Sequence, residues 1–110
     1  MTKDTGAFLT QANETLEALM DMLDEAVGDQ ADVDLQDGIL TIELDAGGTF
    51  IINKHEPNRQ IWLSSPVSGA SHYDFDTTKN GWVNTRDGTL LNDVITADFA
   101  KTAGVSLLFA

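Results

Sequence analysis

The sequence predicts an α+β fold, a two-layer αβ sandwich in which two helices cover one face of an antiparallel sheet of about six strands. Near both ends of the 110-residue chain, apolar residues recur at steps of three and four, as they do in amphipathic helices. Between these segments the apolar period is two, and short turns containing Gly, Pro, Asn or Asp separate the runs. Turns this short join neighbouring strands in antiparallel order. At this length, residues 1–110 are expected to form one domain.

The first helix is predicted over residues 5–27. Its apolar positions fall on one side at about 100° per residue, and acidic residues gather nearly opposite. Gly28 follows the last apolar position and is a suitable helix end. The residues expected to face the sheet are Phe8, Ala12, Leu16, Leu19, Leu23 and Ala26.

The central segment alternates apolar and polar residues. Leu40, Ile42 and Leu44 are expected to face inward, and after the turn DAGG the chain returns with Phe50 and Ile52 inward. The same alternation predicts strands at DVDL, QIWLS, SHYDFD and WVN. Because both helices are expected on one face of this sheet, its other face remains open to water.

A second helix is predicted over residues 90–102, with Thr89 as its N-cap and Gly104 at its end. The apolar tail after it should dock near the helices, since it is too hydrophobic for solvent. The inward positions of the helix are Leu91, Val94, Ile95 and Phe99, and those of the tail are Leu107, Leu108 and Phe109.

The net charge of −12 is concentrated in the first part of the chain. Residues 1–45 hold 12 of the 18 acidic residues and one of the six lysines and arginines. Phosphate repels such a surface, so we expect no nucleic-acid partner. We also expect no membrane partner, because no apolar run approaches the roughly 20 residues of a membrane span. The absence of cysteine excludes disulfides, thiolate catalysis and clusters or zinc held by cysteine.

Six carboxylates gather where the first helix ends and the first strand begins. The C-terminal end of a helix carries partial negative charge and disfavours carboxylates by roughly 0.3 to 1 kcal/mol each, so folding alone would not select this arrangement. Three interpretations remain open: a solvated helix face, a surface for a basic protein, and a loose site for hard cations such as Ca²⁺, Mg²⁺, Mn²⁺ or iron. The six residues are Asp21, Asp24, Glu25, Asp29, Asp32 and Asp34.

The run NRQIWLSSP places a tryptophan on the water side of its strand. Ile61 and Leu63 share the buried side, so Trp62 is expected on the face open to solvent. It either packs against neighbouring side chains or anchors an interface, and its amide neighbours favour the anchor. The polar residues expected on the same face are Asn53, Gln60 and His72.

Signals for catalysis are weak. The serines between residues 64 and 71 lack a nucleophile-elbow motif. The two histidines are predicted apart, His55 beside Glu56 in a solvent loop and His72 on an outward strand position. We therefore expect a binding or regulatory protein rather than an enzyme.

The order of elements and one long run resemble the frataxin family, including its bacterial form, over nearly the full chain. The segments that carry the resemblance are GILTIEL, GTFIINKHEPNRQIWLSSPVSG, YDF and GWVNTRDG. The resemblance implies a role as an iron-binding protein that joins cysteine desulfurase on its scaffold and regulates or supplies iron for iron–sulfur cluster assembly. The alternative that it implies is iron storage in an oligomer with ferroxidase activity.

The resemblance also assigns residues. Frataxins carry an acidic ridge on the first helix and first strand, where iron, Fe²⁺ or Fe³⁺, is expected to bind weakly and other divalent cations are alternatives. The matching positions, called the acidic ridge below, are Glu17, Asp21, Asp24, Glu25 and Asp32, with Asp29 and Asp34 as further members. The positions that match sheet contacts to the assembly complex are Asn53, Gln60 and Trp62.

One sheet position departs from many mitochondrial frataxins. Where those often have an arginine, this chain has His72, so a permanent positive charge is replaced by a group that responds to pH. His72 is nevertheless predicted to contact the partner. A monomer is expected, with iron-dependent assembly as the alternative. The start at Met1 without a targeting segment favours bacterial cytoplasm, and the mitochondrial matrix is the alternative for a mature eukaryotic form.

Overall fold

The computed structural model describes residues 5–107. The elements in chain order are α1 (Thr5–Val27), β1 (Ala31–Gln36), β2 (Ile39–Leu44), β3 (Thr49–His55), β4 (Gln60–Ser65), β5 (Gly69–Asp76), β6 (Gly81–Asn84) and α2 (Leu91–Ala103). The six strands form one antiparallel sheet in which each pairs with its neighbour in sequence. Both helices pack on the same face of this sheet, which confirms the predicted fold class. Neither of the helices described is both long and apolar enough to cross a membrane.

Helix α1 begins and ends where the apolar period predicts. Its predicted stripe is buried from Phe8 to Leu23. The last position differs, because Val27 is fully buried and Ala26 only half-buried. The four-residue step from Leu23 to Val27 continues the line of contact with the sheet, and the three-residue step leaves it.

Helix α2 starts one residue later than predicted, and the prediction of Thr89 as its N-cap is wrong. Leu90 holds the cap position in an extended conformation without a side-chain hydrogen bond, and it pairs with Val83 in an isolated bridge. The Thr89 backbone N–H donates to Asp87 Oδ1 at 2.9 Å, and this bond lowers the pKa of the Asp87 carboxyl. Gly104 ends the helix as predicted, in the left-handed conformation that glycine adopts at little cost.

Aromatic contacts fix both helices to the sheet. Phe99 of α2 stacks on Phe50 of β3 with ring centroids 4.1 Å apart. Phe8 of α1 meets Trp82 of β6 edge to face at 6.1 Å, and the Trp82 indole donates to Thr15 Oγ1 at 2.8 Å. These contacts place the core between the helices and one sheet face, and they leave the other face uncovered.

The apolar tail and one polar cluster complete the core. Leu107 is buried as predicted, whereas Leu108 and Phe109 lie outside the described residues. Asp98 of α2 is 4% exposed, and its Oδ2 accepts hydrogen bonds from Ser65 Oγ at 2.7 Å and Ser68 Oγ at 2.6 Å. This cluster ties α2 to the turn between β4 and β5.

Candidate functional site

The strand register brings the predicted sheet contacts together on one surface. Asn53 of β3 pairs with Trp62 of β4, and Trp62 pairs with His72 of β5. Directly paired residues share a sheet face, as does Gln60, two positions from Trp62 on the same strand. The alternate residue Ile61 is fully buried under the helices. The four predicted contacts therefore lie on the surface away from the helices, called the open face below.

Trp62 is half-buried rather than standing free in water. Its indole is stacked between two imidazole rings. The ring centroids of Trp62 and His55 are 3.6 Å apart with an angle of 7° between the ring planes, and those of Trp62 and His72 are 4.1 Å apart with an angle of 12°. The indole Nε1 donates to Gln60 Oε1 at 2.8 Å, and Gln60 Nε2 donates to Asp74 Oδ1 at 3.2 Å. Rings on both faces and a hydrogen bond at its edge hold the indole in one orientation.

The prediction that His55 lies in a solvent loop beside Glu56 is wrong. His55 is the last residue of β3 and pairs with Gln60. Its ring reaches diagonally across to Trp62, which pairs with Asn53 two positions earlier. The Nδ1 atom of His55 is buried and has no hydrogen-bond partner. The alternation that places Asn53 outward also places His55 outward, and this was the available sequence signal.

Two exposed isoleucines that sequence reasoning missed extend the open face. Ile39 is 44% exposed and pairs with Asn53, and Ile51 is 38% exposed and pairs with Ser64. Alternation with the buried residues Leu40 and Ile52 was the signal for both. Together with Trp62, they give the open face an apolar centre among polar side chains, which is a composition typical of protein interfaces.

The side chains of the acidic ridge are all exposed. The last turn of α1 leads through residues 28–30 into β1, so the end of the helix and the start of the edge strand are adjacent. On β1, Asp32 and Asp34 alternate with the half-buried Val33 and so point away from the helices. The ridge consists of Glu17, Asp21, Asp24 and Glu25 on α1, Asp29 in the turn, and Asp32 and Asp34 on β1.

Two further carboxylates extend the ridge. Glu43 of β2 lies directly opposite Asp32, and like charges in that position destabilise a sheet. The Asp45 backbone N–H donates to the carbonyl of Gln30 at 2.9 Å, which places Asp45 beside the turn that contains Asp29. The period of two predicts that Glu43 points outward, but only the register identifies its acidic neighbour.

The ridge does not form a closed metal cage. Within residues 5–107, no three or more histidine, aspartate or glutamate side chains converge closely enough to hold a metal ion. Exposed carboxylates still attract cations electrostatically, and oxygen ligands suit hard cations. This arrangement fits a loosely held, largely hydrated ion.

Comparisons with known proteins agree with this architecture. The model of the frataxin-like domain family matches residues 1–105. The iron-sulfur cluster assembly protein CyaY of Thioalkalivibrio sulfidiphilus is 37% identical over 103 residues, which cover 92% of this chain and 94% of that protein. The mitochondrial frataxin homolog of Saccharomyces cerevisiae is 40% identical over 100 residues, which cover 87% of this chain and 56% of that protein. The chain thus spans little more than half the length of the yeast relative.

Solved structures give the same result. Frataxin from Psychromonas ingrahamii superposes with a TM-score of 0.85 over 98% of this chain and 99% of that one, and its 23% identity makes this a likeness of fold. Trimeric frataxin from Saccharomyces cerevisiae, complexed with ferrous iron, superposes with a TM-score of 0.74 at 41% identity over 83% of each chain. From its sequence match and its fold, the chain belongs to the frataxin-like family.

Proposed function

We propose that the protein binds iron weakly at the acidic ridge and docks through the open face on a complex of cysteine desulfurase and its scaffold. There it regulates the enzyme or supplies iron for iron–sulfur cluster assembly. The observation that carries this proposal is the oriented, half-buried Trp62 at the centre of an uncovered sheet face. The name of the CyaY relative, an iron-sulfur cluster assembly protein, supports the same role.

The ridge and the open face can act as one docking surface. Asp34 of β1 pairs with Thr41, which pairs with Ile51, so a carboxylate and an exposed isoleucine lie in one row across three strands. A partner that covered Trp62 and Ile51 would meet the ridge at the sheet edge. A basic partner surface would complement that edge and be guided to it by charge.

Iron is proposed as cargo rather than as a structural metal. Exposed carboxylates offer hard oxygen ligands but no preformed cage, so water would complete the coordination shell. The ferrous complex of the yeast frataxin structure supports iron as the ion. Other divalent cations should compete for the same surface, because the ridge offers charge rather than a fixed geometry.

Affinity measurements with the purified desulfurase–scaffold complex test the docking proposal. Truncating a central aromatic anchor costs about 2 kcal/mol or more, so Trp62→Ala should weaken binding by roughly thirtyfold or more. The control is Val67→Ala, which removes an exposed apolar side chain from the β4–β5 turn, and it should bind normally. Equal affinity of wild type and Trp62→Ala, with both shown to be folded by circular dichroism, would contradict the proposal.

A second candidate function is iron storage with ferroxidase activity, supported by the trimeric, iron-complexed yeast relative. It requires that the protein oxidise ferrous iron catalytically and that it assemble. Oxygen consumption and particle size after addition of ferrous iron separate the two candidates. A monomer that consumes no oxygen beyond the protein-free rate would eliminate storage and leave docking.

A further inference from the structure

We propose that His55 is a positioning residue for Trp62 that holds the indole for docking only while its own imidazole is neutral. Acidification from pH 8 to pH 6 then releases the indole and weakens docking. The docking part of this inference rests on the proposed function. The release of the indole can be measured without any partner.

The geometry makes His55 the closer of two supports. Strands β3, β4 and β5 each contribute one ring to a continuous stack on the open face. The His55 ring lies closer to Trp62 than the His72 ring does, with ring centroids 3.6 Å rather than 4.1 Å apart. It is also more nearly parallel to the indole, with an angle of 7° rather than 12° between the ring planes. With the hydrogen bond to Gln60 Oε1, this leaves the indole little freedom to rotate. An anchor fixed in this way loses little conformational entropy on binding.

Because His55 Nδ1 is buried, protonation of this imidazole should affect where the ring lies. A neutral imidazole has one N–H and one lone pair, whereas imidazolium has two N–H groups. His55 Nδ1 is buried without a hydrogen-bond partner, so a protonated ring that kept its place would bury a donor with no acceptor. Moving out of the stack would hydrate that donor. This cost opposes the cation–π attraction of an imidazolium for the indole face, and we infer that it is the larger of the two, so that protonation of His55 favours an open stack.

The charged surroundings allow this movement. Glu56 follows His55 in the chain and is exposed, so it offers a carboxylate to the released imidazolium outside the stack. On β4 the facing residue is the neutral Gln60. The remaining charged or titratable groups on this part of the sheet and its turn are Lys54, Arg59, His72 and Asp74. Of these, Lys54 is turned toward α1, where its Nζ donates to Asn13 Oδ1 at 3.1 Å.

The range from pH 8 to pH 6 is chosen because it selects imidazole among the side chains. Histidine is the side chain that ordinarily titrates between about pH 5 and 8. Released imidazolium also adds positive charge to a docking surface whose acidic edge is proposed to meet a basic partner surface. Both effects weaken docking in acid.

The first test follows the indole Nε1–H signals of the two tryptophans by NMR from pH 8 to pH 6, with Trp62→Phe to assign them. In wild type, the Trp62 signal should shift and exchange faster with water in acid, while the signal of the buried Trp82 stays constant. His55→Phe keeps a stacking ring that does not titrate, so it should remove most of the Trp62 change. His72→Phe, the matched control, should retain it. A change that persists in His55→Phe and disappears in His72→Phe would overturn the proposal.

The second test measures affinity for the desulfurase–scaffold complex at pH 8 and pH 6. Wild type should bind about tenfold more weakly at pH 6, a smaller loss than for Trp62→Ala, because the released indole is still present. His55→Phe should bind equally at both values, and His55→Ala should bind weakly at both. No wild-type binding at either pH would refute the proposed function, and NMR would still decide whether the stack opens. Affinity that is independent of pH, despite release of the indole, would overturn the positioning role.

Discussion

At the scale of single residues, the buried carboxylate of Asp98 has a clear structural role. It accepts from two serine hydroxyls, and Ser65 Oγ in turn accepts from the backbone N–H groups of Val67 and Ser68 at 3.0 and 3.2 Å. Asp98→Ala removes the acceptor and leaves the buried Ser65 hydroxyl without one. An unpaired buried group costs about 1 to 3 kcal/mol, so the free energy of unfolding in urea should fall by that amount.

The partner residues provide the control for Asp98. Ser68 is exposed, so water can replace its hydrogen bond and Ser68→Ala should cost clearly less than Asp98→Ala. Combining Ser65→Ala with Asp98→Ala should cost less than the sum of the single changes, because both groups of one hydrogen bond are then absent. Additive costs would mean that the cluster does not act as a unit.

Tyr73 should make stability fall in alkali. Its side chain is fully buried, and this loss of solvation raises the pKa of its hydroxyl above the ordinary value of 10.0, against opposing hydrogen bonds from Ser71 and Asn84. The unfolded chain therefore loses this proton at a lower pH than the folded chain. The stabilisation is fully present below pH 10.0 and is lost as the pH rises through the folded-state pKa.

Tyr73→Phe isolates that contribution, because phenylalanine cannot ionise. Melting temperatures of wild type and variant should run parallel from pH 7 to 9, and the wild type should fall more steeply above pH 10. Lysine titration affects both proteins equally and cancels in the comparison. Parallel curves up to pH 11 would show that Tyr73 ionises alike in the folded and unfolded states.

The difference between Trp62 and His55 shows what single residues reveal before a structure is known. Alternation with Ile61 and Leu63 sufficed to place Trp62 on the open face, because a strand has only two sides. The stack depends on more, namely on β3 continuing to His55 and on the pairing of His55 with Gln60 across the turn. Glu56 and Pro57 resemble the beginning of a turn, so the sequence predicts a loop that starts at His55, one residue before β3 ends.

At the scale of elements, the C-terminal end of α1 should be electrostatically unfavourable. The last turn of this helix contains no basic residue, and Asp24 and Glu25 lie near the negative end of its dipole. Removing one of these charges should relieve roughly 0.3 to 1 kcal/mol. Glu25→Gln should therefore raise the melting temperature by roughly 2 to 5 °C in low salt.

A matched control removes the same charge from the opposite kind of helix end. Asp93 lies in the first turn of α2, where the helix dipole favours a carboxylate. Asp93→Asn should therefore lower the melting temperature, although it reduces the net charge by the same amount as Glu25→Gln. If both variants became more stable, overall charge repulsion rather than the helix dipole would be the cause. High salt should shrink both effects.

The two helices also differ in how well the sequence predicts their bounds. Helix α1 has 23 residues and a long apolar period, so its ends follow from local pattern alone. The start of α2 depends on a tertiary contact. Leu90 is held against Val83 of β6, and Thr89 is engaged by Asp87, so the local capping preference of threonine is overridden.

At the scale of the whole molecule, strand order was predictable, whereas the extent of the charged surface was not. Connections of a few residues favour pairing between consecutive strands, and the sheet obeys that rule from β1 to β6. Which residues lie opposite each other on paired strands depends on the register, and turn geometry sets the register. The sequence therefore did not predict that Glu43 lies opposite Asp32 or that Asp45 lies beside the α1–β1 turn, although both residues extend the charged surface.

The net charge of −12 should keep metal-free copies of the chain apart, and adding iron tests whether they can assemble. Sedimentation velocity should find a monomer in low salt without metal, because like-charged ridges repel. If the alternative of an iron-dependent oligomer holds, ferrous iron added without oxygen should neutralise the ridge and raise the mean mass. The combined variant Asp21→Asn, Asp24→Asn, Glu25→Gln should need more iron for the same change, since it offers fewer ligands. Assembly by sodium chloride alone would show that screening suffices. A mass that stays monomeric at every iron concentration would exclude an iron-dependent oligomer.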